Sequence, residues 1–358
     1  HELGKDRLHY LFSLGSDKIN EETFKNTKYY SGVYNIISTF FTYFLSKKYI
    51  VESIYFVNLV FSFLAIFGIQ NISKEFFNNQ IGKITFVICL FNPIFFGHMG
   101  INSVDVATAS AYIWFFYTII KYLKKQHISE KKNYYVFFSA LSLGFFIGIR
   151  FSFIIMLLPI FLFVFFKIFY FNVLINKKFL IKLFFKDAIK VLIIAYFFMV
   201  LFWPETHPNI FLLPIQFTIE GLFYSFGFGP PFVLYNGEIN GTYEIPNSYL
   251  LINLFYKMPE FIILSYIIFA CFFFKIGSYF KKEFKGFYFK IFSVFMILIF
   301  PNILLLVYDW ALYDGARLFL YLIPFICIIP AILFFFLYKE IKRNLYKFIF
   351  SCFVFLQI

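Results

Sequence analysis

The sequence predicts an all-α polytopic membrane protein of about nine to ten transmembrane helices, with an outer interfacial helix and a large outer loop. Three observations point there. Of 358 residues, 61% are hydrophobic and only 14% charged, with a mean hydropathy of +0.78. Soluble domains average roughly 45 to 50% apolar and about 25% charged, so most of this chain's surface needs hydrocarbon as its solvent. Apolar runs of bilayer-crossing length recur along the chain, a 30 Å hydrocarbon core asking for roughly 17 to 25 such residues per helix. Lys-rich segments separate the runs at alternate junctions, as in a chain threading back and forth across a membrane. The 63 Phe residues carry no functional reading, because an AT-rich coding sequence favours Phe along with Ile, Lys, Asn and Tyr.

Taken in order, residues 1–53 read as a first outer loop. They are polar as far as Lys28 and then run YYSGVYNIISTFFTYFLSKK, too short an apolar stretch to span and suited to a helix lying along the interface. Spans are predicted near 54 to 70, 81 to 97, 104 to 120, 188 to 204, 259 to 275, 290 to 308 and 317 to 338, with an incomplete one from about 345. Residues 134–166 are too long for one span and short for two. Lys-rich flanks on both sides, KYLKKQHISEKK and KKFLIKLFFKDAIK, put both ends in the cytoplasm, so the stretch is predicted to be a short hairpin with Arg150 at its outer tip. The chain then divides into the first outer loop (1–53), transmembrane helices including that hairpin (54–204), an outer loop rich in Pro, Gly, Asn and aromatics (205–258), and C-terminal transmembrane helices, the last truncated (259–358). A start at His1 and a stop inside FIFSCFVFLQI read as a piece of something longer.

The net charge of +13 resolves by side. The predicted inner loops (71–83, 121–132, 167–190, 275–290 and 339–347) hold 22 of the 32 Lys and Arg and only five acids, so the chain divides as +17 inside and −4 outside. The basic balance is thus a topology signal, and a nucleic-acid partner is excluded, since that reading needs the charges on one exposed face. Beyond residue 100 the outer side keeps three bases, Arg150, Lys257 and Arg317. The four cysteines, Cys89, Cys271, Cys327 and Cys352, lie in apolar runs without CxxC spacing, which disfavours disulfides and zinc. No P-loop, dinucleotide fingerprint, GxSxG or HExxH is present.

The candidate chemistry sits on the outer side. In FFGHMGINSVDVATA, His98, Asn102 and Asp105 stand at the mouth of two spans. An acid so close to hydrocarbon is costly, so Asp105 reads either as a functional acid or as a first-turn acid answering the helix dipole. His98 reads more simply as a hydrogen-bonded interface residue. Arg150 follows Gly144 and Gly148, small residues that permit close helix packing, and its guanidinium suits a phosphate or carboxylate, or simply snorkels. YDWALYDGARLFLYLIP brings Asp309, Asp314 and Arg317 together, as an ion pair across a helix start or as a clamp for a lipid phosphate. WPETHPN offers Glu205 and His207 beside Trp203, read as an interfacial turn rather than a metal site.

The ordered segments KYYSGVYN, FNPIFFGHMGINSVDVA, IGIR, WPETHPN, YEIPNSYLLINLFYKMPEF and YDGARLFLYLIP resemble the polyprenyl-phosphate-sugar-dependent membrane glycosyltransferases, close to the dolichyl-phosphate-mannose protein mannosyltransferase branch. The resemblance spans residues 28–324. It implies a membrane glycosyltransferase of superfamily C fold that moves a sugar from a polyprenyl-phosphate donor to a glycan, lipid or protein acceptor on the non-cytoplasmic side, with inversion. It also implies Asp105 as the acid of the second outer loop, and Arg150 and Arg317 as ligands of the donor phosphate. Leu318 stands where the family often has His. The family's leading acid follows a first transmembrane helix absent here. HELGKDRLHYLFSLGSD looks like the stretch after that acid, which leaves Asp6 and Glu2 as fallback bases and a fragment that need not be active.

No cofactor is implied, and dependence on a divalent metal is left open. The expected location is a bacterial inner membrane with the active face outside the cytoplasm. The competing classes are a transporter, flippase or polymerase of lipid-linked glycans, which would place charges or helix breaks near span centres, and a non-enzymatic scaffold, in which Asp105 would be dispensable.

Overall fold

The computed structural model describes residues 2–16, 19–21, 24–25, 28–29, 32–172, 180–225, 232–235, 237–242, 244–307, 312 and 314–341. Asp309, most of GFGPPF and the span expected from residue 345 lie outside the described residues.

Helices dominate. In chain order they are α1 (Glu2–Phe12), α2 (Val33–Tyr43), α3 (Ile50–Phe76), α4 (Asn79–Leu90), α5 (Pro93–His98), α6 (Ser103–Lys125), α7 (Ser129–Ile149), α8 (Leu158–Phe165), α9 (Ile181–Leu201), α10 (Leu213–Ser225), α11 (Tyr249–Lys257), α12 (Glu260–Cys271), α13 (Phe273–Glu283), α14 (Phe287–Val307), α15 (Leu322–Ile326) and α16 (Ile328–Glu340). Short 3-10 turns join them at Phe151–Leu157, Pro204–Asn209 and Arg317–Phe319. The one sheet among the described residues is an antiparallel pair, Phe232–Tyr235 with Glu238–Gly241, in which Tyr235 pairs with Glu238. This strand pair, the turn at 204–209, α10 and α11 are the elements formed by the described residues of the segment 205–258, expected from sequence as an outer loop.

Four helical stretches are long and apolar enough to cross a membrane: Lys47–Phe76, Ser103–Lys125, Phe287–Val307 and Leu322–Glu340. A fifth forms if α11 and α12, bent by 111° at Met258 and Pro259, are one span. This is fewer than the nine to ten expected, for two local reasons. Helices α7 and α9 are each 21 residues long, but they begin within Lys-rich sequence (SEKK and IKLFFK), so less of their length is apolar. The apolar stretch predicted at 81 to 97 is cut in two. Asn92 accepts hydrogen bonds from the backbone N–H groups of Ile94 and Phe95, Pro93 follows at the first helical position, and a new helix starts there.

Polarity is inverted relative to a soluble protein. On α3, Asn58, Ser62 and Ser73 are buried, whereas Phe56, Leu59, Phe63, Leu64 and Phe67 are exposed. In hydrocarbon, apolar side chains lose nothing by facing outward, and small or polar ones turn inward, where backbones approach and hydrogen bonds can form.

The polar contacts sort into two groups at opposite ends of the bundle. At one end Glu75 takes Lys121 and Lys124 at 2.8 and 2.7 Å, buried Asp187 accepts from the Tyr122 hydroxyl at 3.0 Å and lies 3.7 Å from Lys132, and Gln126 bonds the Leu180 backbone twice. At the other end Arg7 meets Glu205, Trp203 donates to the Lys28 carbonyl, Gly32 donates to the Phe202 carbonyl, and Asp105 meets Arg150 and Arg317. Helix α7 runs from one group to the other, with Lys132 beside Asp187 and Arg150, just past its end, beside Asp105. By Phe163, which stacks on Phe289 and packs against Phe76, the chain has returned.

Gly144 fixes how closely α7 and α9 approach. A Cβ placed there would fall 2.9 Å from the Ala195 carbonyl oxygen and 3.0 Å from the Phe198 ring, and the carbonyl has no freedom to yield. Gly144→Val is expected to destabilise the folded protein in detergent by about 1–3 kcal/mol, read as a lowered melting temperature. An unchanged melting temperature would contradict this packing.

Candidate active site

The end of the bundle holding Asp105 is assembled from four separated pieces of chain. Asp105 lies in the first turn of α6, with its side chain only 2% exposed. Its two carboxylate oxygens go to different arginines: Oδ1 lies 2.9 Å from an Nη of Arg150, and Oδ2 accepts from Nε of Arg317 at 2.9 Å. A carboxylate this buried is tolerated only when paired and hydrogen-bonded, and two guanidinium groups supply both.

Arg150 sits where α7 ends, its own backbone extended (φ −144°, ψ 92°), so its side chain projects from the end of the helix. Its guanidinium also lies 5.2 Å from the centre of the Phe153 ring, a cation–π contact that holds its other face. Arg317 opens the 3-10 turn before α15 and is the more open of the two, 38% exposed against 17%. Its Nη1 donates to Asp314 at 2.8 Å. Burial works against the Arg317 charge, but the hydrogen bond and charge of Asp105, and then those of Asp314, outweigh it and raise its pKa above the ordinary arginine value.

The turn carrying Arg317 is tightly shaped. Asp314 and Gly315 both take positive φ, 56° and 66°, a region that Asp tolerates and Gly enters freely. The Gly315 N–H donates to the Tyr249 hydroxyl at 2.8 Å. A Cβ at Gly315 would fall 2.2 Å from Nζ of Lys257, so the lysine ammonium lies directly over the turn. The three isolated outer bases of the sequence, Arg150, Lys257 and Arg317, are therefore drawn to one place. Three cations against Asp105 and Asp314 leave this cluster a formal charge of +1.

His98, at the end of α5, lies near the cluster without pairing to Asp105 in the described hydrogen bonds. Its Nδ1 is 3.5 Å from the Asn102 amide. Burial lowers its pKa; the Asp105 charge opposes this, and the Arg317 and Lys257 charges reinforce it. Asn102 occupies the N-cap of α6 but makes no capping hydrogen bond with its side chain.

Glu205 and His207 belong to a different joint. Buried Arg7 donates from Nε to Glu205 Oε1 at 2.8 Å, across 198 residues of sequence. His207 Nε2 lies 3.0 Å from the Val200 carbonyl, and its ring rests 5.4 Å from that of Tyr10. With Trp203 on Lys28 and Phe202 on Gly32, the WPETHPN turn fastens the N-terminal segment to the end of α9. Asp6 is half-buried on α1, next to Arg7. Among the described residues no group of three or more His, Cys, Asp or Glu is placed to hold a metal ion.

Arg7 was not singled out in the sequence, although a signal was there. Only four of the 32 basic residues are arginine, Arg7, Arg150, Arg317 and Arg343, and the three that are described all sit in ion pairs with a buried acid. The planar fork of arginine suits such sites better than a lysine ammonium.

Two outcomes are expected. Glu205→Ala strands the buried Arg7 charge and should cost about 3–5 kcal/mol of stability, most of it recovered when Arg7→Met is combined with Glu205→Leu; thermal unfolding of the single and double variants checks this. For His98, a folded pKa below the unfolded 6.5 means the unfolded chain binds more protons in that window. Stability should therefore rise with pH from the folded value up to about 6.5, and His98→Gln should flatten that segment of a stability–pH profile.

Residues 32–205, which include Asp105, Arg150 and Glu205, match the family model described as dolichyl-phosphate-mannose-protein mannosyltransferase. Among solved structures the chain is similar to the Archaeoglobus fulgidus oligosaccharyltransferase in its apo form, with a TM-score of 0.57 at 13% identity, over 92% of this chain and 46% of that one. It is also similar to archaeal oligosaccharyltransferase AglB from Archaeoglobus fulgidus in complex with an inhibitory peptide and a dolichol-phosphate, with a TM-score of 0.53 at 12% identity and the same coverage. This chain thus spans about half the length of those structures, and at such identity the likeness is one of fold. No curated protein matches the chain. Over residues 32–205, just under half its length, the chain is thus similar to the dolichyl-phosphate-mannose-protein mannosyltransferase family model, and its fold is similar to that of archaeal oligosaccharyltransferase.

Proposed function

We propose that the chain is a membrane glycosyltransferase that moves a sugar from a polyprenyl-phosphate donor to a hydroxyl of a glycan, lipid or protein acceptor on the non-cytoplasmic side. The observation that carries this reading is the buried Asp105 carboxylate shared by Arg150 and Arg317, at the end of the bundle where Lys257 also gathers. The family match and the likeness in fold to an oligosaccharyltransferase whose structure was solved in complex with a dolichol-phosphate support it.

The chemistry demands little more than this cluster offers. When the bond between the anomeric carbon and the phosphate oxygen breaks, the departing lipid phosphate gains a negative charge, and the acceptor loses a proton as its new bond to the sugar forms. Fixed cations aimed at the phosphate stabilise the first change, and a carboxylate accepts the proton of the second. The donor phosphodiester carries one negative charge and meets a cluster of net +1.

Arg317 is the more exposed arginine and holds the donor phosphate. As the phosphate draws its guanidinium, Oδ2 of Asp105 is released to take the acceptor proton, while Arg150, pinned between Oδ1 and Phe153, keeps the carboxylate in place. Donor binding thereby prepares the base. Asp6, on the segment fastened through Arg7 and Glu205, is the second candidate for proton transfer.

In the full-length protein given a polyprenyl-phosphate hexose, Asp105→Asn should lower the release of free polyprenyl phosphate by about 10²–10⁴-fold with normal membrane insertion, and Arg317→Ala should weaken donor binding. Wild-type transfer by Asp105→Asn would remove Asp105 from the reaction. Absence of transfer from any lipid-linked sugar by the wild-type protein would overturn the proposed function.

A further inference from the structure

Helix α3 turns an apolar surface outward but buries Asn58 and Ser62, one turn apart, with Asn58 only 1% exposed. Both side chains reach the short link between α5 and α6. Asn58 Nδ2 donates to the Gly100 carbonyl at 2.7 Å. The Ser62 hydroxyl lies 3.1 Å from the Met99 carbonyl and 2.8 Å from the Asn58 carbonyl. From the other side, the Tyr34 hydroxyl on α2 donates to Asn58 Oδ1. Burial pushes the Tyr34 hydroxyl up to about 12, with a hydrogen bond to Ser103 opposing the shift, so it remains a neutral donor. These partners fix the orientation of the Asn58 amide, because the Gly100 carbonyl needs a donor and Tyr34 supplies one.

An apolar layer surrounds this chain of hydrogen bonds. Tyr34, Val57, Ala107 and Ile149 form a small core of their own, separate from the main one, with Phe61, Val104 and Phe145 packed against it. Val104 and Ala107 flank Asp105, and Ile149 immediately precedes Arg150. One compact unit thus touches both sides of the ion pair. Residues Met99–Asn102 form the only link between α5 and α6, so their carbonyls, held by α3, set where α6 begins and where Asp105 stands.

We infer that Asn58 is a positioning residue for transfer, holding the Gly100 carbonyl so that the Asp105 carboxylate stays within reach of both Arg150 and Arg317. The inference rests on reading the Asp105 cluster as the transfer site. Groups that must lie within hydrogen-bond reach lose rate steeply with displacement, a shift of about 1 Å costing on the order of a hundredfold.

Asn58→Asp provides the test, because it keeps the shape and exchanges the donor for an anionic oxygen facing the Gly100 carbonyl. Once protonated, the same side chain regains an O–H donor for Gly100 and a carbonyl for Tyr34, and burial favours that neutral form. In the full-length protein, Asn58→Asp is expected to lower kcat per folded molecule about 10- to 100-fold at pH values where the introduced carboxyl is ionised, with the donor KM close to wild type. The variant-to-wild-type kcat ratio should recover as pH falls. Tyr34→Phe, a milder change, should lower kcat severalfold without that recovery. Wild-type kcat in Asn58→Asp, or a loss that parallels the loss of folded protein and does not respond to pH, would overturn the inference. If Asn58→Asp does not fold, wild-type kcat in Tyr34→Phe would overturn it. A wild-type protein that transfers nothing would instead overturn the underlying proposed function, and this inference with it.

Discussion

The Asp105 carboxylate is the point on which one end of this helical bundle depends. In a bundle surrounded by hydrocarbon, a buried charge is stable only with its partners in place. Here the two partners come from the end of α7 and from a turn more than 160 residues later, so satisfying one carboxylate fixes the relative positions of α6, α7 and the entry to α15. The same geometry leaves two guanidinium groups and a lysine gathered around one acid. The proposed transfer, which binds an anionic donor and removes a proton, requires such an arrangement, and the ion pairs hold these groups together.

A second buried pair organises the neighbouring region by the same logic. Arg7 and Glu205 join the N-terminal segment to the turn after α9, helped by the Trp203 indole on the Lys28 carbonyl and by Gly32 on Phe202. The two pairs differ in openness. Arg7 and Glu205 are buried, as suits a fastening, whereas Arg317 remains more than a third exposed and is shared with the exposed Asp314, as the proposed exchange of partners on donor binding requires. At the far end Glu75 and Asp187 tie together Lys-rich segments from α6, α7 and α9. These contacts anchor the helices without gathering arginines.

Much of this was legible in the sequence, for a physical reason: a membrane chain displays its solvent and its sidedness in composition. The long apolar runs located α3, α6, α14 and the helical stretch ending in α16, and the scarcity of outer bases pointed to Arg150, Lys257 and Arg317 before their convergence was visible. Helix ends were less legible. A hydropathy window does not register the Asn92–Pro93 cap that divides the stretch from 81 to 97, nor the Lys-bearing first turns of α7 and α9. The pairing of Arg7 with Glu205 and the reach of Asn58 to Gly100 join residues 198 and 42 positions apart, and no local pattern encodes such contacts. The WPETHPN segment reads from sequence as an interfacial turn, but only the fold shows that its His207 meets the Val200 carbonyl and the Tyr10 ring.

The central claim is that the charged cluster around Asp105 receives the phosphate of a lipid-linked donor. Its most direct test is an experimental structure of the full-length protein in lipid with a polyprenyl phosphate bound. The account predicts phosphate density within hydrogen-bond distance of the Arg317 guanidinium and close to Lys257, with Asp105 still held by Arg150. Phosphate bound at the opposite end, beside Asp187 and Lys132, with the Asp105–Arg317 pair closed as in the free protein, would contradict it.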